Sequence, residues 1–332
     1  MARPLHSTAA LGLALGLGLV GCGKSDPPAP PAAKAAAARP AAEKDNRATA
    51  QEVARQARGE LACPPKIATA ARAANAPVDD VQGVRPGLTL DEAMKAVLCT
   101  HELLVAGVER GRGFNLKAPG AREIRQGFSA QFAEPRVVKS SKEILQEMQR
   151  DALARSGNAV REDLQPGQSR WFVATMGLPG QERVLSVARA ERFAADQRTT
   201  VDALTEALLK KYGEPTQNQR ASAAHTPFLR WAYDPLGRHV GETSPLYHRC
   251  NGTSSPNGGV NLAPDCGIVV QAQLLPQRDN PDLVERLEVG VVDQSTGYRL
   301  LTETEQALGQ ADRQRRAAEV EKASKNAKAP TL

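Results

Sequence analysis

Cysteine and histidine are the side chains in this 332-residue chain whose chemistry reaches beyond packing, and their spacing limits what they can do. The cysteines are Cys22, Cys63, Cys99, Cys250 and Cys266. A zinc site would draw on Cys250, Cys266, His239 and His248. No C-x2-C or H-x3-5-H pair sets two of them at ligand spacing. His101, His225, His239 and His248 fall at predicted helix ends or in loops. A nucleophile elbow, H-E-x-x-H, a P-loop and a dinucleotide fingerprint are all missing. Gly111-Arg112-Gly113 signals a turn, with no following helix to make a phosphate site. Asp91 and Asp202 sit in the first turns of two predicted helices, where the helix dipole accounts for them. The sequence therefore assigns no catalytic residue, no metal and no cofactor.

The cysteines gain meaning from the elements around them. Arg3 opens the N-terminus and an apolar run follows from Ala9 to Val20. That run is the length of a signal-peptide core and short of the roughly 20 residues that span a bilayer. It ends in Leu19-Val20-Gly21-Cys22, which resembles the lipobox of bacterial lipoproteins. The resemblance implies removal of residues 1–21, diacylglycerol on the Cys22 thiol and an acyl chain such as palmitate on its new amine. Gly23 stands where inner-membrane retention usually shows Asp. The implied location is the periplasmic face of the outer membrane, with the inner membrane as the alternative.

With Cys22 lipidated, four cysteines remain, and four allow three pairings. An exported chain meets an oxidising compartment where disulfides persist. The local pairs Cys63–Cys99 and Cys250–Cys266 are preferred, because each brackets one segment of chain. The second closes the loop NGTSSPNGGVNLAPD, worth roughly 3 kcal/mol of chain entropy. That loop is rich in Gly, Pro, Asn and Ser, and it is expected to form a contact surface.

Organisation follows from composition. Residues 22–45 are a Pro/Ala-rich tether, extended and solvated. Residues 46–77 regain helical character, with Pro64 and Pro65 dividing two short helices at Cys63. Residues 78–300 carry the folded domain, and 301–332 read as a charged helical tail. Lys and Arg are interspersed with acids, and aromatics are 4% of the chain. A net charge of +6 without a basic, aromatic-laced stripe excludes nucleic acid as a partner.

Within the domain, two stretches, about 84–194 and 195–296, share a pattern. Gly87–Leu98 and Arg198–Leu209 each place Thr, an aliphatic residue and Asp in succession, followed by apolar residues on one helical face. Thr89 and Thr200 occupy N-cap positions. The second helix stops at Lys210-Lys211-Tyr212-Gly213-Glu214-Pro215. A third helix is predicted over 140–155, opened by Ser and closed by Gly157. Strands are predicted at 171–176, 183–189, 228–233, 267–274 and 283–292, with a hairpin turn at Gly177–Gly180. Trp171 and Trp231 are expected in the core. The order predicts an α+β fold: helices packed on one face of an antiparallel sheet, in duplicated helix–strand units.

Lys211-Tyr212-Gly213-Glu214-Pro215, then Phe228 and Trp231-Ala232-Tyr233, resemble the SmpA/OmlA family of barrel-assembly lipoproteins and the repeat of β-lactamase inhibitor protein. The resemblance implies a capped helix ending in Gly-x-Pro ahead of strands that carry a W-x-Y pair. An anchor, a tether and a stapled domain without a catalytic constellation predict a periplasm-facing, lipid-anchored binding or scaffolding protein. Its expected partners are the membrane, through lipid on Cys22, and a periplasmic or envelope protein. The barrel-assembly resemblance implies the alternative of an envelope assembly or maintenance factor. A periplasmic or cell-wall enzyme is the third reading.

Overall fold

The computed structural model describes residues 47–326, apart from 66, 68, 70, 73, 75, 111–113, 115, 156–163 and 220–225. Alternation along the strands sets the architecture. In β3 (Ser169–Met176), Trp171 and Val173 point into one apolar cluster with Val187, Val270, Val291 and Trp231. Phe172 and Ala174, one residue out of phase, point into another with Ile124, Met176 and Leu185. Both sides of the sheet are therefore covered, and Trp171 and Trp231 are fully buried.

Eight antiparallel strands form this sheet in the order β1-β2-β3-β4-β8-β7-β6-β5. β1 (Leu104–Arg110), β2 (Arg125–Phe132), β3 and β4 (Arg183–Arg192) make one meander. β5 (Gln217–Gln219), β6 (Phe228–Ala232), β7 (Ile268–Pro276) and β8 (Val284–Asp293) make the other. They meet where β4 pairs with β8, with Val187 opposite Val291.

Five helices accompany the sheet among the described residues: α1 (Ala50–Arg58), α2 (Leu90–Leu98), α3 (Ser141–Arg155), α4 (Val201–Tyr212) and α5 (Gln294–Lys325). The chain is thus an α+β protein. Thr89 opens α2 with a reciprocal cap: its hydroxyl accepts from the Glu92 amide at 3.2 Å, and the Glu92 carboxylate accepts from the Thr89 amide at 2.8 Å. Thr200 caps α4 by accepting from the Ala203 amide at 3.1 Å. At the far end of α4, Gly213 takes φ +83°, its amide donates to Leu209, and its carbonyl accepts from Trp231 Nε1 at 2.9 Å. The Tyr212 and Trp231 rings lie 5.0 Å apart. The Gly-x-Pro stop and the W-x-Y strand thereby fix each other by packing.

The structure differs from expectation in four places. The helices do not share one face: α2 and α4 bury apolar residues among Trp171 and Trp231, whereas Leu300, Leu301 and Leu308 of α5 pack against Phe172 and Leu185 on the other side. The α5 helix begins at Gln294 and runs for 32 residues, through the boundary placed at 300. Its apolar residues are too sparse to mark it as part of the core. Between 61 and 80 the described residues hold no second short helix, and α1 ends at Arg58, ahead of Pro64 and Pro65, where Gly59 takes φ +54° and its amide donates to the Arg55 carbonyl. Finally, β1, β2 and β5 were not predicted. Gly127 in β2 has φ +127°, and a Cβ there would lie 1.9 Å from the Val173 carbonyl oxygen, so the strand depends on a glycine that weakens its sequence signal.

Candidate functional site

Both disulfides are present in the pairing preferred above: Cys63–Cys99 with Cα atoms 5.4 Å apart, and Cys250–Cys266 at 5.3 Å. The first ties the segment after α1 to the end of α2. Arg58 crosses the same junction, its guanidinium donating to the carbonyls of Leu98 at 2.7 Å and His101 at 2.8 Å. Cys22 and the tether lie outside the described residues, as do His225, Gly157 and Gly111-Arg112-Gly113.

The second disulfide holds the link between β6 and β7, residues 233–267. Cys250 and Cys266 are buried with Val240, Val269 and Val292, and Leu246, Tyr247 and Leu262 pack around them. The link lies against the sheet. The Ser254 hydroxyl contacts that of Ser186, and Gln271 Nε2 donates to the Gly252 carbonyl at 3.2 Å. Gly290 makes the close approach feasible, since a Cβ there would stand 2.2 Å from the Ser254 carbonyl oxygen. Arg230 is covered by Tyr247, whose ring centroid lies 5.4 Å from the guanidinium, and burial pulls its pKa down. Along the segment, Gly252, Ser254 and Pro256 are buried while Asn251, Thr253 and Asn257 are exposed. Three residues of the predicted contact surface 251–265 thus face inward, and the exposed residues beside them form a polar ridge held in place from beneath.

The described histidines are taken up in local contacts. His101 stacks on Phe132 at 4.4 Å and accepts from the Leu103 amide through Nδ1. His239 Nε2 lies 3.2 Å from the Thr216 hydroxyl, with its ring edge-on to Tyr233. His248 stands edge-on to Tyr247. Among the described residues no group of three or more His, Cys, Asp or Glu is placed to hold a metal ion.

An ionic cluster that no sequence pattern signalled joins the segment before α2 to the end of α4. Arg72 reaches Asp79 and Asp80, each at 2.8 Å, and Lys211 reaches the Asp80 carboxylate at 2.9 Å. The Tyr212 hydroxyl donates to the Asp80 carbonyl at 2.8 Å. Burial pushes the Asp79 carboxyl above its ordinary value despite Arg72. At Asp80 burial acts in the same sense, but the Gly83 amide and the Lys211 ammonium outweigh it and the carboxyl lies low. Each acid faces a cation, which marks a structural tie.

The link between β2 and β3 behaves differently. Its helix α3 is opened by Ser140, whose amide and hydroxyl both donate to Glu143 at 2.7 Å. No side chain described in α3 is buried, and α3 is not packed extensively on any other element. Ile144, Leu145 and Met148 are exposed, and so are Val137 and Val138 just before the helix. Val138 is 78% exposed and Met148 62%, so among the described residues no neighbour covers them, and with Val137, Ile144 and Leu145 they make a run of exposed apolar side chains.

No helix among the described residues is long and apolar enough to cross a membrane. No protein-family model matches the chain, and no curated protein or solved structure is significantly similar to it.

Proposed function

We propose that this chain is a periplasm-facing, lipid-anchored binding or scaffolding protein without a catalytic role, attached through lipid on Cys22. The observation that carries the binding part is the stapled link 233–267. Its backbone is fixed by Cys250–Cys266 and by the buried Gly252, Ser254 and Pro256, so Asn251, Thr253 and Asn257 are presented in one arrangement. A polar surface ordered before it meets a partner loses little freedom on binding. The two disulfides agree with export to an oxidising compartment. We also infer that the sheet is a duplicated unit. Each half is a Thr-capped helix followed by a four-stranded meander, and each cap threonine bridges to the start of its own last strand, Thr89 to Arg183 and Thr200 to Leu283.

A photo-activated cross-linker at Asn257 in intact cells should yield one discrete adduct, and the same probe at Lys210 on α4 should not. The same ladder at both sites would sink the binding reading. The anchor is tested separately by metabolic labelling with palmitate. Label should enter the wild-type chain and be lost in Cys22→Ser; an unlabelled wild type would remove the anchored part. The envelope-assembly alternative rests on the Gly-x-Pro and W-x-Y motif, and the contact of Trp231 with Gly213 accounts for that motif by packing.

A further inference from the structure

The exposed apolar element around α3 sits where the chain enters the described domain. The Ala48 amide donates to the Arg136 carbonyl at 3.0 Å, and the Arg136 amide donates back to the Ala48 carbonyl at 2.8 Å. Ala48 is the second described residue, so the described chain begins beside Arg136. The next two residues are the exposed Val137 and Val138, and α3 begins three residues later.

Helical spacing places Ile144, Leu145, Met148 and Ala152 on one side of α3, with Glu143 and Gln146 on the other. Lys139 pairs with Glu147 at 2.6 Å, and Lys142 is exposed at the helix start. A helix of 15 residues with no protein surface beneath it is marginal in water. By the same spacing Glu147 and Asp151 border this face on one edge and Lys142 stands towards the other; an apolar stripe with a charged border of both signs can lie in the plane of a lipid–water interface.

We infer that Val137, Val138 and the Ile144–Leu145–Met148 face of α3 form a second membrane contact, seated on a lipid surface beside the point where the tether leaves the domain. This rests on the lipid-anchored reading, which puts a bilayer at the far end of that tether. A lipid anchor at Cys22 ahead of a Pro/Ala-rich tether would not by itself set which face of the domain meets the membrane. A second contact at the tether's root sets its orientation and turns the rest of the domain away from the lipid.

The test supplies the attachment chemically, so that it reports on α3 whether or not Cys22 is lipidated in the cell. The mature chain with Cys22→Ser carries an N-terminal hexahistidine and is captured on vesicles of phosphatidylethanolamine and phosphatidylglycerol doped with a nickel-chelating lipid. A polarity-sensitive fluorophore is placed at Met148→Cys and, in a second sample, at the still more exposed Leu236→Cys, with both native disulfides kept oxidised. On vesicles, emission from position 148 should shift to the blue and be quenched by lipid-borne bromine, while position 236 keeps its emission in water. Val138→Asp with Leu145→Asp should weaken the partition of position 148 on the order of tenfold or more. Unchanged emission at 148 overturns the inference, and so does an equal shift at both sites. A shift that grows with protein concentration in the absence of vesicles also overturns it, by assigning the face to a second copy of the chain.

Discussion

The links 133–168 and 233–267 have nearly equal length and leave the sheet at matching points in the strand order, after β2 and after β6. Their fates are opposite. The second is irregular, rich in Gly, Asn, Ser and Pro, and pressed against the sheet beneath a disulfide. The first contains a regular helix and leaves Val137, Val138, Ile144, Leu145 and Met148 exposed, burying Ala133 and Leu164 at its two ends. The difference follows from where backbone polar groups find partners. An α-helix satisfies its interior amides and carbonyls within itself, so its backbone needs no partner on the sheet even where the short helix alone is marginal in water. An irregular segment has no such ladder. It is ordered here by a covalent staple, by the Asp234 carboxylate accepting from the Leu236 and Arg238 amides at 2.9 Å each, and by contacts to Ser186 and Gln271.

The comparison breaks most sharply at Gly290. Gly290→Val would force the Ser254 backbone off the sheet and should cost about 4 kcal/mol, combining overpacking with lost hydrogen bonds. Urea unfolding measures it, and a loss under about 1 kcal/mol would mean that the link 233–267 is not seated as described. Cys250→Ala with Cys266→Ala should cost roughly 3 kcal/mol and open residues 251–265 to proteolysis while leaving 137–148 unchanged. Equal cleavage in the disulfide-intact protein would erase the contrast between the two links.

Acid should separate them more gently. The Ser140 hydroxyl and amide hold the Glu143 carboxyl below its ordinary value. A depressed acid contributes stability above its unfolded value, about 4.3 for glutamate, and loses it as pH falls through the folded value. Hydrogen exchange in α3 should therefore quicken below about pH 4. In the link 233–267 the Asp234 carboxyl, raised by burial but held low overall by the Arg238 and Leu236 amides, loses its hold as pH falls, and residues 234–238 should loosen. The disulfide does not titrate, so amides within 251–265 should keep their protection. Glu143→Gln should flatten the pH response of α3; an unchanged profile would assign it to another group. The smallest effect belongs to Leu145→Glu with Met148→Glu, which should alter stability in the absence of lipid by no more than about 0.5 kcal/mol. A larger loss would show that α3 has a protein neighbour after all.

How much of this was legible in the sequence varies by element. The helices α2 and α4 announce themselves through Thr89, Thr200 and the Gly213 stop, because caps are local chemistry. Setting Cys22 apart leaves four cysteines and three pairings, and the preference for local pairs coincides with the bonds Cys63–Cys99 and Cys250–Cys266. β1 and β2 stayed hidden because Gly107, Gly127 and polar residues interrupt their alternation, and only neighbouring strands order them. The packing of α5 stayed hidden because three leucines in a charged helix, Leu300, Leu301 and Leu308, suffice to dock it. For α3 the helix was legible and its exposure was not. An apolar stripe has the same spacing whether it meets a core, a lipid or water. The Arg72–Asp79–Asp80–Lys211 cluster joins residues distant in the chain, and no spacing rule reports such a meeting.

The Cys63–Cys99 bond has a mechanical consequence. A pull on the chain at Arg47 first loads the Ala48–Arg136 bridge and then α1, which can peel away one turn at a time. When the strain reaches Cys63, the covalent link passes it directly to Cys99, bypassing every residue between them. The segment 64–98, with α2 and its Thr89 cap, is therefore spared, and the load arrives at Cys99, five residues ahead of β1. The disulfide diverts a pull from the N-terminal end around α2 and delivers it to the hydrogen-bonded ladder of β1 and β2.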